Sequence, residues 1–529
     1  MSPSSLHRYR ALAAGAAMAA FTAGLTTTAP AAAGPPERAG RSPEHVVLID
    51  WDGFDPAFLE MADTPNLDAL AAQGSLTTGS STFQTVSNPA RASMSTGAWP
   101  DTHENAAYYF DEGTNTAKGQ ERYLEAETIA EALADEGRTV ASVQWYMVQN
   151  HGTTYGDPEH LYVQPGGDFG ERVDVAIDIL NQRPVDSGGT QVTVPEIPDL
   201  LAVYSSDLDS LAHGQGAESP NIGPMLAEMD ADLGRLVQAT KDVGIYGKTA
   251  FILTSDHGMT SWNQTLLPEV LAAITAAGYL PEVVTPGRSP APETEVVIVP
   301  NAVRYGDVTL RGRAATEEGR QAVRDALESL SPEYISQVLD DTDLDAMRAS
   351  DKLGDLIAEA QPPYGFALSK PPEGEWRASH GSTEELDIPF LVSGAGFRRG
   401  VAPEAPHLVD VAPTIAALLG IAPPDDSEGR VLTEAMGPPS SPKANEVSPK
   451  PNPSSAKSNA GRGHGGTKGA GGRGGQHDDD GDGTSLTVER GGERSVLEFG
   501  TDQAGEALLD LTAAAPGADW AQRQLHLRR

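Results

Sequence analysis

Val46-Val47-Leu48-Ile49-Asp50-Trp51-Asp52-Gly53 reads as a buried strand that delivers two carboxylates and a turn at its carboxyl end. Unbroken apolar runs of this kind suit parallel sheets covered on both faces. Comparable runs at 201–204, 249–254 and 389–392 are expected as further buried parallel strands. Helix-period segments lie between them at 65–73, 124–136, 222–243, 316–330 and 411–419. This alternation predicts an α/β fold, with a mainly parallel central sheet covered by helices on both faces. The predicted domain spans residues 43–436, with a less regular, cap-like inserted subdomain at 277–377.

The chemistry follows the strands. The first run leads into Asp52, the second into Asp209 with His213 four residues on, and the third into Ser255-Asp256-His257-Gly258-Met259. In parallel α/β sheets, sites form at the carboxyl ends of strands. Alone, Asp52-Gly53 is compatible with a turn, and Asp209 with His213 is compatible with a surface helix pair. Adjacent Asp256 and His257 directly after an apolar strand have no packing purpose. Together, carboxylates and imidazoles at one sheet edge suit a borderline cation such as zinc.

Between the first two strands lies Thr85-Val86-Ser87-Asn88-Pro89-Ala90-Arg91. Pro89 fits the first turn of a helix, which places Ser87 at or near its N-cap. Backbone N–H groups there can hold a phosphoryl or sulfuryl oxygen, and a neighbouring metal would lower the hydroxyl pKa. Ser87 is the candidate nucleophile.

These residues fall into an ordered set of motifs. It runs through Asp52-Gly53, Thr64-Pro65-Asn66-Leu67, Ser87-x-Pro89 and Thr96-Gly97 with Pro100 and His103. It continues through Asp209-x-x-x-His213, Ser255-Asp256-His257-Gly258-Met259, His380-Gly381 and Val409-Asp410-Val411-Ala412-Pro413-Thr414. The set resembles the alkaline phosphatase superfamily, and within it the type I phosphodiesterase/nucleotide pyrophosphatase group. That resemblance implies an alkaline phosphatase-like fold and two zinc ions, other divalent ions being alternatives. One ion would be held by Asp209, His213 and His380, the other by Asp52, Asp256, His257 and Ser87. In the mechanism so implied, one zinc ionises Ser87, and the other stabilises the leaving oxygen and later activates water.

Two departures bear on the substrate. The group carries a phosphate-contacting Asn a few residues after the His of the Pro100/His103 motif; the matching place here is near Tyr108, and Asn105, the nearest substitute, is out of register. Ser87-x-Pro89-x-Arg91 with Thr96-Gly97 also fits the sulfatase signature, in which Cys or Ser becomes formylglycine beside a single metal. The second ligand set favours a two-metal hydrolase of small-molecule phosphate esters, acting on phosphodiester or nucleotide pyrophosphate bonds. A phosphomonoesterase or phosphonate hydrolase, a Ser-type sulfatase and a non-catalytic binding protein are the alternatives.

The rest of the 529-residue chain sets the context. Its 37 basic and 75 acidic residues give a net charge of −38, which excludes nucleic-acid binding through a basic surface. Cysteine is absent, which excludes disulfides, thiol nucleophiles, cysteine–zinc sites and iron–sulfur clusters. His7, Arg8 and Arg10 precede a short apolar run and Ala29-Pro30-Ala31-Ala32-Ala33, the pattern of a signal peptide over 1–33 cleaved near Ala33. A secreted protein without a remaining membrane span is expected. Residues 437–483 are Pro/Ser/Gly/Asp-rich and expected as a disordered linker, followed by a short C-terminal tail at 484–529. Asp478, Asp480, Asp482 and Glu489 have the spacing of a calcium loop but no flanking helices, so a solvated acidic linker is the preferred reading.

Overall fold

The structure, a computed structural model, describes residues 43–300 and 302–437, with the backbone of strands Ser485–Arg490, Glu493–Thr501 and Ala507–Leu509. The expected signal peptide at 1–33, nearly all of the expected linker, and Asp478, Asp480 and Asp482 lie outside the described residues. The three late strands form an antiparallel sheet with one another.

A seven-stranded sheet carries the fold. Its order is Ser75–Ser80, Asp387–Gly394, Thr249–Thr254, His45–Trp51, Leu200–Ser205, Val140–Val143 and His160–Val163. Residues 389–392, expected as part of a parallel strand, run antiparallel to both neighbours. The reason is topological. The chain reaches this strand from His380, at the carboxyl edge of the parallel strands, and can only run back from there.

Alternation along the first strand explains the double cover. Val47 and Ile49 pack with Val173, Leu226 and Leu233 of helices Phe169–Leu180 and Ile222–Asp242. Val46 and Leu48 face the opposite layer, built from Met94, Ile129, Val411 and Ile415. These come from helices Ser87–Thr96, Ile129–Asp135 and Val411–Leu419.

The irregular stretch contains a second sheet of five strands, within Pro281–Val283, Val296–Val299, Tyr305–Leu310, Leu356–Ala360 and Ile335–Asp340, in that order. One of its faces packs on the chain that leads into Ser87. Val297, Tyr305 and Ile357 share a buried cluster with Phe83 and Val86.

Asp307, on the Tyr305–Leu310 strand, is fully buried, and burial pushes its carboxyl up to about 7. Between its ordinary 3.8 and about 7, the folded chain keeps a proton that the unfolded chain releases. Stability from this group is therefore complete below the ordinary value and lost as pH rises through the window. The expected loss is at most about 1.4 kcal/mol per pH unit. Asp307→Asn should flatten the decline, read as urea midpoints across that range.

Candidate active site

All six candidate ligands meet at the carboxyl edge of the central sheet. Asp52 follows the His45–Trp51 strand, while Asp209 lies in the first turn of helix Asp207–Gln215, entered from the Leu200–Ser205 strand. Four residues on, one helical turn, His213 shares that helix face. Asp256 and His257 follow the Thr249–Thr254 strand. His380 follows Arg377–Ser379, which pairs antiparallel with Thr260–Trp262, so one ribbon sets the spacing between His257 and His380.

Gly53 lets the first two loops touch. Its φ is +65°, and a Cβ there would stand 2.9 Å from both Cα and Cβ of Asp209. Any side chain would push Asp52 and Asp209 apart.

The side chains fall into two trios. Asp209, His213 and His380 each offer a ligand atom within 4.8 Å of the others, and so do Asp52, Asp256 and His257. The rings of His257 and His380 stack at 3.5 Å and join the trios. Ser87, the first residue of the Ser87–Thr96 helix, is buried with its Oγ 3.3 Å from His257 Nε2. The helix N-terminus favours negative charge at that oxygen.

Hydrogen bonds orient the histidines. Nδ1 of His213, His257 and His380 lies 2.8, 3.0 and 2.8 Å from the carbonyls of Ala378, Gly258 and Thr85. Carbonyl acceptors assign the proton to each Nδ1, which turns each Nε2 lone pair toward the cluster. Asp52 Oδ1, Asp209 Oδ1, Asp256 Oδ2, His213 Nε2 and His380 Nε2 are buried without a hydrogen-bond partner. Buried acceptors gathered at this spacing fit a divalent cation in each trio, and the all N/O donor set suits a borderline metal.

The carboxylates dominate the local charge. Burial lowers the His257 imidazole, yet Asp256, Asp52 and Asp209 outweigh it and raise it to about 9. His380, stacked against it, is held well below its ordinary value by burial and by His257. Burial opposes ionisation of Asp209, but His213, His380 and His257 bring it down to about 2. The cluster is a negative well that attracts positive charge.

Sequence reasoning read Arg91 only as part of a signature, and its role is larger. Its guanidinium lies 2.6 Å from Asp50, 3.0 Å from Asp52 and 3.0 Å from Asp256, all fully buried. Thr85 was missed as well. It accepts the Gly381 N–H, donates to the Ser382 carbonyl and lends its own carbonyl to His380, two residues before Ser87. Asn105 does not face the site, because its amide donates to the carbonyls of Glu121 and Tyr123. Tyr108 instead accepts from Gln120, whose Oε1 accepts the Asn88 N–H.

Residues 46–383 match the family described as type I phosphodiesterase/nucleotide pyrophosphatase. The chain belongs to this family. All seven candidate residues, from Asp52 to His380, lie inside the matched span. The chain is 26% identical over 257 residues to ectonucleotide pyrophosphatase/phosphodiesterase family member 7 of Homo sapiens, covering 46% of this chain and 53% of that one. It thus spans about half the length of this relative. It is also 23% identical over 403 residues to the bis(5'-adenosyl)-triphosphatase enpp4 of Mus musculus, covering 72% of this chain and 79% of that one. In structure it resembles murine ectonucleotide pyrophosphatase/phosphodiesterase 5, with a TM-score of 0.55 at 19% identity over 72% of this chain and 96% of that one.

Removing the guanidinium would leave three buried carboxylates without their counter-charge. Arg91→Met is expected to cost about 3–5 kcal/mol of unfolding free energy in chelator. Added divalent cation should restore part of it, because it binds only the folded cluster. Urea titrations with and without metal check both statements.

Proposed function

We propose that the protein is a two-metal hydrolase of phosphodiester or nucleotide pyrophosphate bonds that works through a phosphoserine at Ser87. The observation that carries this reading is a buried hydroxyl at a helix N-terminus, hydrogen-bonded to one of two adjoining cation-ready trios. Asp209, His213 and His380 would hold one divalent ion, and Asp52, Asp256, His257 and Ser87 the other. Zinc is the proposed metal, and when bound the pair supplies Lewis-acid charge for the hydroxyl and the phosphoryl oxygens.

Ser87 gives its proton to solvent and attacks phosphorus in line. A P–O bond forms to Oγ as the opposite P–O bond breaks, and the leaving oxygen takes the electron pair. Water then adds to phosphorus, the bond to Ser87 breaks, and the serine regains a proton. Asp209 and Asp256 stay ionised throughout, and the carbonyls behind the histidines keep each Nε2 pointed inward. Arg91 offsets part of the carboxylate charge without reaching solvent. The pattern of residues 1–33 supports export, and no helix among the described residues is long and apolar enough to cross a membrane.

Arg91 also sits where the sulfatase signature has its arginine, but a one-metal sulfatase has no use for Asp209, His213 and His380 together. Purified active protein is expected to carry about two zinc ions per chain. Ser87→Ala should remove nearly all turnover of bis-p-nitrophenyl phosphate while folding and metal content persist. One calcium without zinc, together with a formylglycine mass at residue 87, would establish the sulfatase instead.

A further inference from the structure

The two trios differ in charge. By carboxylate count the trio beside Ser87 is the stronger cation site, since it holds Asp52 and Asp256 where the other holds Asp209 alone. Arg91 works against that advantage. Its Nη1 lies 3.0 Å from Asp256 Oδ2, the oxygen that also stands 3.0 Å from His257 Nε2. Its Nη2 lies 3.0 Å from Asp52 Oδ2, which already accepts from the Tyr204 hydroxyl at 2.7 Å. A metal ion in this trio must share its carboxylates with a guanidinium that stays charged at any working pH. Among the described residues, no lysine or arginine is ion-paired with Asp209, whose partners are His213 and His380.

The guanidinium is held where it is. Asp50 Oδ2 stands 2.6 Å from its Nε and the Tyr146 hydroxyl 2.9 Å from its Nη1, and the Arg91 side chain has no exposure to solvent. Asp50 is as fully buried and belongs to neither trio, so it fixes Arg91 and offsets part of its charge without being a candidate ligand. Enclosure sharpens the effect. The side chains of Asp52, Asp256 and His257 are at most 1% exposed, and repulsion between cations is strongest where water is excluded.

We infer that Arg91 makes the two metal positions unequal: the Asp209, His213 and His380 position fills first and tightly, and the position beside Ser87 fills second and weakly. Asp50 sets the size of the gap through the charge it offsets. With one ion bound, the Ser87 hydroxyl has no metal next to it, so turnover follows the second ion and the supply of divalent cation switches the protein on. Arg91 acts through the carboxylates and is a positioning residue.

This inference rests on the two-metal reading, and the experiment separates their failures. Zinc is titrated into the metal-stripped full chain in competition with a chromophoric chelator. The parent is expected to bind two ions with dissociation constants at least about tenfold apart. Asp209→Asn should remove the tighter class and Asp52→Asn the weaker one. Removing the cation and removing its counter-charge should then move the weaker class in opposite directions. Arg91→Met is expected to tighten it by about tenfold and Asp50→Asn to loosen it by about tenfold, with the tighter class changed by less than about threefold in both. Asp50→Asn keeps the size of the side chain and decides the matter where Arg91→Met fails to fold. Two classes of equal affinity in the parent, a tighter class lost in Asp52→Asn, or an Asp50→Asn protein in which the weaker class is unmoved, tightened or loosened no more than the other would each overturn the inference. A parent that binds one ion at saturating zinc would overturn the two-metal reading itself.

Discussion

Four buried aspartates at one sheet edge are the constraint around which this molecule is organised. Asp50, Asp52, Asp209 and Asp256 are each at most 3% exposed, and ionised carboxylates at such burial require paired charge. Arg91 supplies it to three of them. Asp209 is served by His213, 3.1 Å away, and by His380 at 3.7 Å. The division is informative. A permanent cation backs the trio next to Ser87, while Asp209 relies on imidazole.

Holding that charge in a fixed geometry falls to backbone rather than to further side chains. Carbonyls of Ala378, Gly258 and Thr85 orient the three histidines, and each comes from a segment that also carries a candidate site residue. Thr85 links most closely. Through its hydroxyl and carbonyl it clamps the His380–Gly381 turn to the loop that enters the Ser87 helix. Arg304 then anchors that turn from the inserted sheet, 3.0 Å from Glu385 and 2.7 Å from Glu384. The insertion is thus part of the support for the site.

Much of this was legible in the sequence because the chemistry sits at strand ends. Unbroken apolar runs marked four central strands, and the polar residues after three of them marked the site. The strands Val140–Val143, His160–Val163 and Ser75–Ser80 were not marked, since Ala141, Ser142 and the Ser/Thr-rich Ser75–Ser80 give weak apolar patterns. Direction was less legible than existence. Residues 389–392 have the apolar character of a parallel central strand, and only the position of His380 at the far edge forces them to run back. Arg91, Thr85 and Gly53 act through contacts with segments distant in sequence, and residue type alone carries no sign of those partners.

The departure at Tyr108 follows the same logic of contact over type. Tyr108 adopts φ of +54°, a backbone conformation that Asn takes at lower cost than Tyr. The ring is buried with Phe83, Val86 and Tyr305, the cluster that joins the inserted sheet to the chain before Ser87. Its hydroxyl engages Gln120, and Gln120 in turn accepts the backbone N–H of Asn88, beside Ser87. A short amide in this place would leave the cluster short of an aromatic ring. Here the position has been given to packing, and its hydroxyl reaches the Asn88 backbone only through Gln120.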